Sequence, residues 1–346
     1  MKVSRWMLVA GTAAIVVALT VAGSIGAGKA PAAAAVAFKT ALVLDTGGEN
    51  DNGFNKNQVV GLNKATTQIH GTSLKLLSPS SSDYAPNYAT AIGANANLII
   101  AAGFLLGDTM NDYSANYPGT KFAITDDPAV AVGGRANEMG ITYKTQQAGC
   151  LVGVIAAKEA QFQGHKVIGV VGGIPIPPVD SFIAGYRYCA KKVVSGTTVL
   201  IQYSGNFTNE NDCSALAQNE IGNQAQVIFQ VAGGCGDGAL KYAGNHGKFG
   251  IGVDSDEFAV APNVLTSAVK KTDVGVIKAI LAAYNHNWRG GGNFKLSLVN
   301  NGVGVGKIHP SVPASWVSLM NSYKNQILNG SLKPPAFCPN HTCTSG

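Results

Sequence analysis

Short continuous apolar runs alternate with amphipathic stretches along almost the whole chain. Runs at residues 41–44, 98–103, 121–126, 166–173 and 226–232 have the length and uniformity of strands buried on both faces of a parallel sheet. Between them apolar residues recur at helical spacing: Val59, Leu62, Ala65 and Ile69 after a helix start at Lys56, and Cys150, Val152, Ile155 and Ala156 in a helix over 145–160. The same patterns predict further strands over 74–77, 137–144, 197–203, 250–254, 264–271 and 294–305. Further helices are predicted over 84–92, 108–117, 179–193, 212–223, 238–247, 273–286 and 312–328. Strand, loop and helix in this order, in two series with a seam near Tyr143, predict an α/β fold of two doubly wound parallel-sheet domains. The last elements are too few for a third core and are expected to rejoin the two sheets, making a multi-stranded hinge. The expected division is 38–140 with 257–300 for the first domain, and 141–256 with 301–332 for the second. Residues 333–346, with Pro334, Pro335 and Pro339, form an irregular tail.

Residues 1–35 stand apart. Lys2 and Arg5 precede an apolar stretch over 7–27, and the Ala-rich run 30–37 offers A-x-A cleavage sites, the pattern of an export signal. An uncleaved anchor is the alternative, because 7–27 is long enough to span a bilayer. Membrane association is expected only through this segment if it is retained. No Cys occurs before Cys150, so the thioether anchor of a bacterial lipoprotein has no attachment point.

Charge narrows the function. Charged residues make up 13% of the chain, and the formal +6 falls to +3 once Lys2, Arg5 and Lys29 of the leader are set aside. With no basic run interleaved with aromatics, a nucleic-acid partner is excluded. The six cysteines, Cys150, Cys189, Cys213, Cys235, Cys338 and Cys343, favour disulfides in an exported chain. They allow fifteen connectivities. Cys338 and Cys343 are expected to close a small loop, and His341 between them brings the potential metal ligands only to three.

Catalytic signatures are missing. There is no G-x-S-x-G or H-E-x-x-H, and none of the six histidines ends a predicted strand. Residues 233–238 (G-G-C-G-D-G) follow a strand and open a helix, but not with G-x-G-x-x-G spacing; 302–307 (G-V-G-V-G-K) lack the Ser or Thr that would hold magnesium. Both read as turns or ligand contacts. What remains is a set of polar loops at strand ends, where open α/β sheets bind small ligands. The first, in residues 42–55 (L-V-L-D-T-G-G-E-N-D-N-G-F-N), carries three carboxylates, three asparagines and Phe54. Asp126 and Asp127 end a second strand, and Asp254 with Asp256 a third. Dispersed acids of this kind suit hydrogen bonding to hydroxyls without any chemistry.

These residues carry a resemblance. D-T-G-G-E-N-D-N-G-F-N (45–55), L-I-I-A-A-G-F-L (98–105), Y-P-G-T-K-F-A-I-T-D (117–126), V-I-G-V-V-G-G-I (167–174), V-I-F-Q-V-A-G-G (227–234), I-G-V-D-S-D (251–256) and V-L-T-S-A-V-K (264–270) are together similar to the basic membrane protein family. Its purine nucleoside receptor lipoproteins are substrate-binding proteins of ABC importers with a type I periplasmic-binding fold. The resemblance implies a monomeric, exported protein with no cofactor. It implies a nucleoside held between the domains, and an ABC permease as partner. By motif position Asp45 and Phe54 match the first-loop acid and a base-stacking aromatic, Asp126 the acid before the crossover, and Phe182 an aromatic from the second domain. Gly233 or Gly234, Asp254 and Lys270 match positions that bind polar edges and ribose hydroxyls. Asp254 is the candidate for a vicinal diol, with Lys270 keeping it ionised. The missing lipobox cysteine and the four cysteines Cys150, Cys189, Cys213 and Cys235 depart from the family pattern, and Thr46 stands where some relatives have an amide. If Cys213 and Cys235 lie on neighbouring helices, they would bridge beside Gly233. Three rival readings are a monosaccharide binder, a nucleoside hydrolase and a ligand-sensing ectodomain; the hydrolase would need a calcium-binding acid order that 45–51 lacks.

Overall fold

The computed structural model describes residues 37–338 and 343–345; the expected export signal and His341 lie outside them. The first sheet has the order β11-β5-β4-β3-β1-β2, and all its neighbours run parallel. Its strands are β1 (Lys39–Leu44), β2 (Thr72–Leu76), β3 (Leu98–Ala102), β4 (Lys121–Thr125), β5 (Glu138–Tyr143) and β11 (Gly292–Leu296). The second sheet has the order β12-β10-β9-β8-β6-β7. It contains β6 (Val167–Gly172), β7 (Thr198–Tyr203), β8 (Val227–Val231), β9 (Phe249–Asp254), β10 (Val264–Lys270) and β12 (Val303–Val305), the last antiparallel. In each sheet the chain winds outward in both directions from its first strand. That leaves a crevice at the carboxyl ends of β1 and β3, and a second at β6 and β8.

Helices cover both faces of each sheet, which explains why the strands are uniformly apolar. In the first half α1 (Phe54–Gln68) and α8 (Thr272–Tyr284) bury one face, with Leu42, Leu44, Ile100 and Val276 in one cluster. The helices α2 (Tyr84–Gly93) and α3 (Gly107–Asn116) bury the other around Val43, Tyr88 and Phe122. In the second half α4 (Thr145–Phe162), α5 (Pro177–Val193) and α9 (Ala314–Leu328) enclose the largest cluster, and α6 (Glu210–Gly222) and α7 (Gly233–Asn245) the opposite face.

The chain crosses between the halves three times, from β5 to α4, from β10 to α8 and from β11 to β12. The crossings are tied together by Lys144 N–H to Leu296 O at 2.8 Å and Lys271 N–H to Gly302 O at 2.9 Å. A multi-stranded hinge therefore exists, but its parts differ from expectation. β10, inside the 257–300 assigned to the first domain, pairs with β9 and β12 in the second sheet. β5, reaching Tyr143, stays in the first. Which sheet a strand joins leaves no trace in its own periodicity. The single strand expected over 294–305 is two strands, interrupted where Ser297 caps a turn and Asn301 turns left-handed (φ 57°). Residues 233–238 are not a loop but the start of α7, and 302–307 contain the edge strand β12.

All three disulfides lie in the second half. Cys150–Cys189 joins α4 to α5, Cys213–Cys235 joins α6 to α7, and Cys338–Cys343 closes the tail loop. The α4–α5 contact is close because of glycine. A Cβ at Gly149 would lie 2.1 Å from Phe182 O, one at Gly153 2.4 Å from Tyr186 O, and one at Gly185 2.0 Å from Gln146 O. These are backbone atoms that cannot turn aside. Gly149→Ala is expected to force the helices apart and cost about 1–3 kcal/mol, read as a lower midpoint in thermal unfolding.

Candidate functional site

The site is built at strand ends of both sheets. Leu44 lies opposite Ala102 in the β1–β3 register, so Asp45 emerges beside Gly103. Asp45 is buried, and its Oδ1 accepts from Asn55 Nδ2 at 2.7 Å and from Gly47 N–H at 2.9 Å. Burial outweighs these bonds and lifts its pKa to about 6. Gly103 has φ +126°, and a Cβ there would press on Asp45 Oδ2 at 3.0 Å and on the Phe54 ring at 3.1 Å. Glycine is what lets the first acid and the first aromatic share this corner.

Phe54 opens α1 two residues before the expected start, because Asp51 caps the helix. The Asp51 carboxylate accepts from the N–H groups of Gly53 (3.1 Å), Asn55 (2.7 Å) and Lys56 (3.1 Å). The half-buried Phe54 ring is thereby fixed at the cavity wall. Thr272, first residue of α8, donates its hydroxyl to Phe54 O at 3.1 Å, tying this loop to a hinge crossing.

Asp126 and Asp254 occupy equivalent places, each just at the end of a strand, one per sheet, and each in the left-handed region (φ 72° and 59°). Both face Lys270, the last residue of β10, which sits one step past the partner of Asp254 in the β9–β10 register. The Lys270 ammonium pairs with Asp126 Oδ2 and lies 4.0 Å from Asp254 Oδ1. It is also 4.5 Å from the Phe54 ring centroid and 5.9 Å from that of Phe182, within cation–π range. All three charged side chains are largely withdrawn from solvent. Burial pushes Asp254 up to about 7 against the opposing pull of Lys270, and it raises Asp126 for the same reason. Asp254 Oδ1 has no hydrogen-bond donor. The turn after Asp254 is held by Glu257, whose Oε2 accepts from Val253 N–H at 2.9 Å and Gln230 Nε2 at 2.5 Å.

One cavity gathers Asp45, Phe54, Asp126, Phe182, Gly233, Asp254 and Lys270. Gly234 lies outside it, lining an outer groove with Thr46 and Asp237. Asp256 also turns away, accepting from Phe258 N–H and Lys307 N–H. Phe182 forms floor rather than face: it is 2% exposed and packs edge-on to Phe229 with centroids 6.4 Å apart. Asn55, Phe104 and Phe207 are among the cavity residues that were not candidate ligand contacts in the sequence. Phe207 sits in the loop between β7 and α6. There Asn206 Oδ1 accepts from Thr208 and Asn209 N–H, and Phe207 O accepts from Cys235 N–H at 3.0 Å. Its ring fills the space a side chain on Gly173 would take. An aromatic in a polar, asparagine-rich loop at a strand end is the signature that singled out Phe54, and it was present here too. The Cys213–Cys235 bridge does lie beside Gly233, as the neighbouring-helix reading expected.

Among the described residues no group of three or more His, Cys, Asp or Glu is arranged to hold a metal ion. The cavity instead offers aromatic side chains beside two sets of polar groups, Asp45 with Asn55 and Asp126 with Asp254 and Lys270.

Known proteins share this architecture. A solute-binding protein of an ABC transporter system from Aeropyrum pernix superposes with a TM-score of 0.77 at 22% identity, covering 86% of this chain and 94% of that one. In sequence, a CD4+ T-cell-stimulating antigen of Listeria monocytogenes is 30% identical, over 86% of this chain and 88% of the relative. An uncharacterized lipoprotein of Pyrococcus abyssi is 31% identical over 82% and 72%. An ABC transporter nucleoside-binding protein, BmpA, of Lactococcus lactis is 28% identical over 86% and 89%. Residues 38–336 match the family of PnrA-like ABC transporter substrate-binding proteins, and the chain belongs to that family.

Proposed function

We propose that the protein captures a nucleoside, a purine nucleoside in particular, in the cleft outside the cytoplasm and delivers it unchanged to an ABC importer. The observation that carries this reading is the company Phe54 keeps in the cavity. Its ring shares the Gly103 corner with Asp45 and lies 4.5 Å from the Lys270 ammonium, which pairs with Asp126 and faces Asp254. A base stacked on Phe54, with Phe207 as second wall and Phe182 beneath, would present its polar edge to Asp45 and the unpaired Asn55 Oδ1. The sugar would then reach Asp254, whose free Oδ1 can accept from a vicinal diol, with Lys270 and the backbone at Gly233 alongside. A relative named as nucleoside-binding supports the same class.

Calorimetric titration with adenosine, guanosine, inosine, uridine and ribose tests the proposal. Purine nucleosides are expected to bind and ribose alone to bind far more weakly; tight ribose binding without a nucleoside response would favour the monosaccharide reading. Loss of one stacking face in Phe54→Ala should weaken nucleoside binding about 5- to 150-fold, from about 1–3 kcal/mol per stacked base.

Asp254 separates stability from function. Its folded pKa of about 7 lies above the ordinary 3.8, so between those values the folded state holds a proton that the unfolded state has lost. The contribution of this group is therefore full at low pH and is lost as pH rises through 7. Asp254→Asn is expected to raise the ligand-free melting temperature at pH 8 relative to the parent, by less at pH 5, while weakening nucleoside binding at pH 8. A variant with unchanged affinity would remove Asp254 from the sugar site.

A further inference from the structure

A buried polar relay runs behind the cavity, through two side chains that do not line it. Gln230, fully buried in β8, uses both ends of its amide: Oε1 accepts from Ala232 N–H at 2.9 Å, and Nε2 donates to Glu257 Oε2 at 2.5 Å. The same Glu257 oxygen accepts from Val253 N–H at 2.9 Å, and Glu257 N–H donates to Ser267 Oγ at 3.0 Å. Ser267 lies on β10, the strand that ends in Lys270. Glu257 Oε1 has no hydrogen-bond donor, so Oε2 alone connects the relay. Burial pushes the Glu257 carboxyl well above the usual range, against the pull of these donors. Glycine keeps room for both side chains. A Cβ at Gly236 would lie 1.9 Å from Gln230 Oε1, and one at Gly252 would lie 2.6 Å from Glu257 Oε2.

The relay reaches the peptide before each of two left-handed residues in the cavity wall. Asp254 has φ 59° in a tight turn closed by Ser255 N–H to Val253 O at 2.6 Å, and Gly233, the first residue of α7, has φ 54°. A left-handed aspartate persists where its surroundings over-determine it. Glu257 holds Val253, the residue before Asp254, and Gln230 holds Ala232, the residue before Gly233. The backbone ladder between β8 and β9 does not reach this far. It pairs Val227, Ile228 and Phe229 with Phe249, Gly250 and Ile251, and the Gln230–Glu257 hydrogen bond carries the connection on toward the strand ends.

We propose that Gln230 and Glu257 are positioning residues for ligand capture, their hydrogen bond setting Gly233 and Asp254 in the arrangement that takes the hydroxyls of the sugar. The inference rests on the nucleoside reading above. It is tested by calorimetric titration of the parent, Gln230→Met, Glu257→Met and Glu257→Gln with adenosine and with 2′,3′-dideoxyadenosine, which lacks the diol. The parent is expected to prefer adenosine. Each methionine variant should weaken adenosine binding about tenfold or more, the scale on which groups supporting a binding site act, and change dideoxyadenosine binding little. Glu257→Gln restores an oxygen for Val253 N–H and Gln230 Nε2, and should recover most of the preference for adenosine. Should a methionine variant fail to fold, Gln230→Asn, one methylene too short to reach both partners, takes its place and is read in the same way. Variants that keep the parent's preference, or that weaken both ligands equally, overturn the positioning role alone, as does a parent that binds the two nucleosides equally. A parent that binds no nucleoside overturns the nucleoside reading and the positioning role together.

Discussion

The contact on which the rest depends is a single buried ammonium facing two buried carboxylates. Lys270 ends the strand of the second sheet that leads directly into a first-half helix, Asp126 ends a strand of the first sheet, and Asp254 ends the strand beside Lys270. None of the three would be tolerated alone at this depth, since an unpaired buried charge costs several kcal/mol. Together they still leave one negative charge too many. The protein absorbs that excess by raising Asp254 to about 7 rather than by adding a cation. The Asp126–Lys270 pair is also a bond between the halves, so separating the sheets would break it. The charge cluster in the cavity and this contact between the halves are in this way one interaction.

The two halves repeat a plan. Each ends one strand on a left-handed aspartate that points at Lys270, and each sends one aromatic-bearing polar loop to the cavity, Phe54 from the first and Phe207 from the second. A left-handed conformation costs an ordinary residue roughly 1–2 kcal/mol. Aspartate bears it better than most, and here it re-aims the side chain across the cleft instead of along the strand. The charged groups of the cavity thus come from strand ends whose positions are set by deep pairing, and Phe54 and Phe207 from the loops that follow strands.

Much of this was legible in the sequence, for identifiable reasons. Strands buried on both faces read as unbroken apolar runs, and an acid closing such a run marks a strand end at once. Phe54 declared itself because an aromatic in a polar loop has no core to enter. Phe182 could not be resolved the same way: it sits in an apolar helix turn, and the structure makes it largely core, touching the cavity from below. Phe207 showed the Phe54 signature and was passed over. Gly233 and Gly234 fit the family's motif position equally well, whereas the helix that begins there turns the second glycine outward. The sheet to which β10 belongs was beyond local reading, because its partners β9 and β12 are fixed by tertiary pairing and not by its own pattern.

Stiffness is unevenly shared, and that bears on how the cleft holds a ligand. The second half carries all three disulfides of the described structure and the glycine-mediated α4–α5 contact, so Phe182, Phe207 and Gly233 sit on braced elements. The first-half loop that carries Asp45 and Phe54 has no disulfide; it is held chiefly by the Asp51 cap and the Asn55–Asp45 contact, with the Glu49–Lys75 ion pair at the surface. A rigid wall lowers the entropy lost on binding, because its groups are already in place. A wall held by hydrogen bonds can adjust its aromatic face by small shifts. The disulfides thus brace the second-half side of the cavity and leave the first-half side without one.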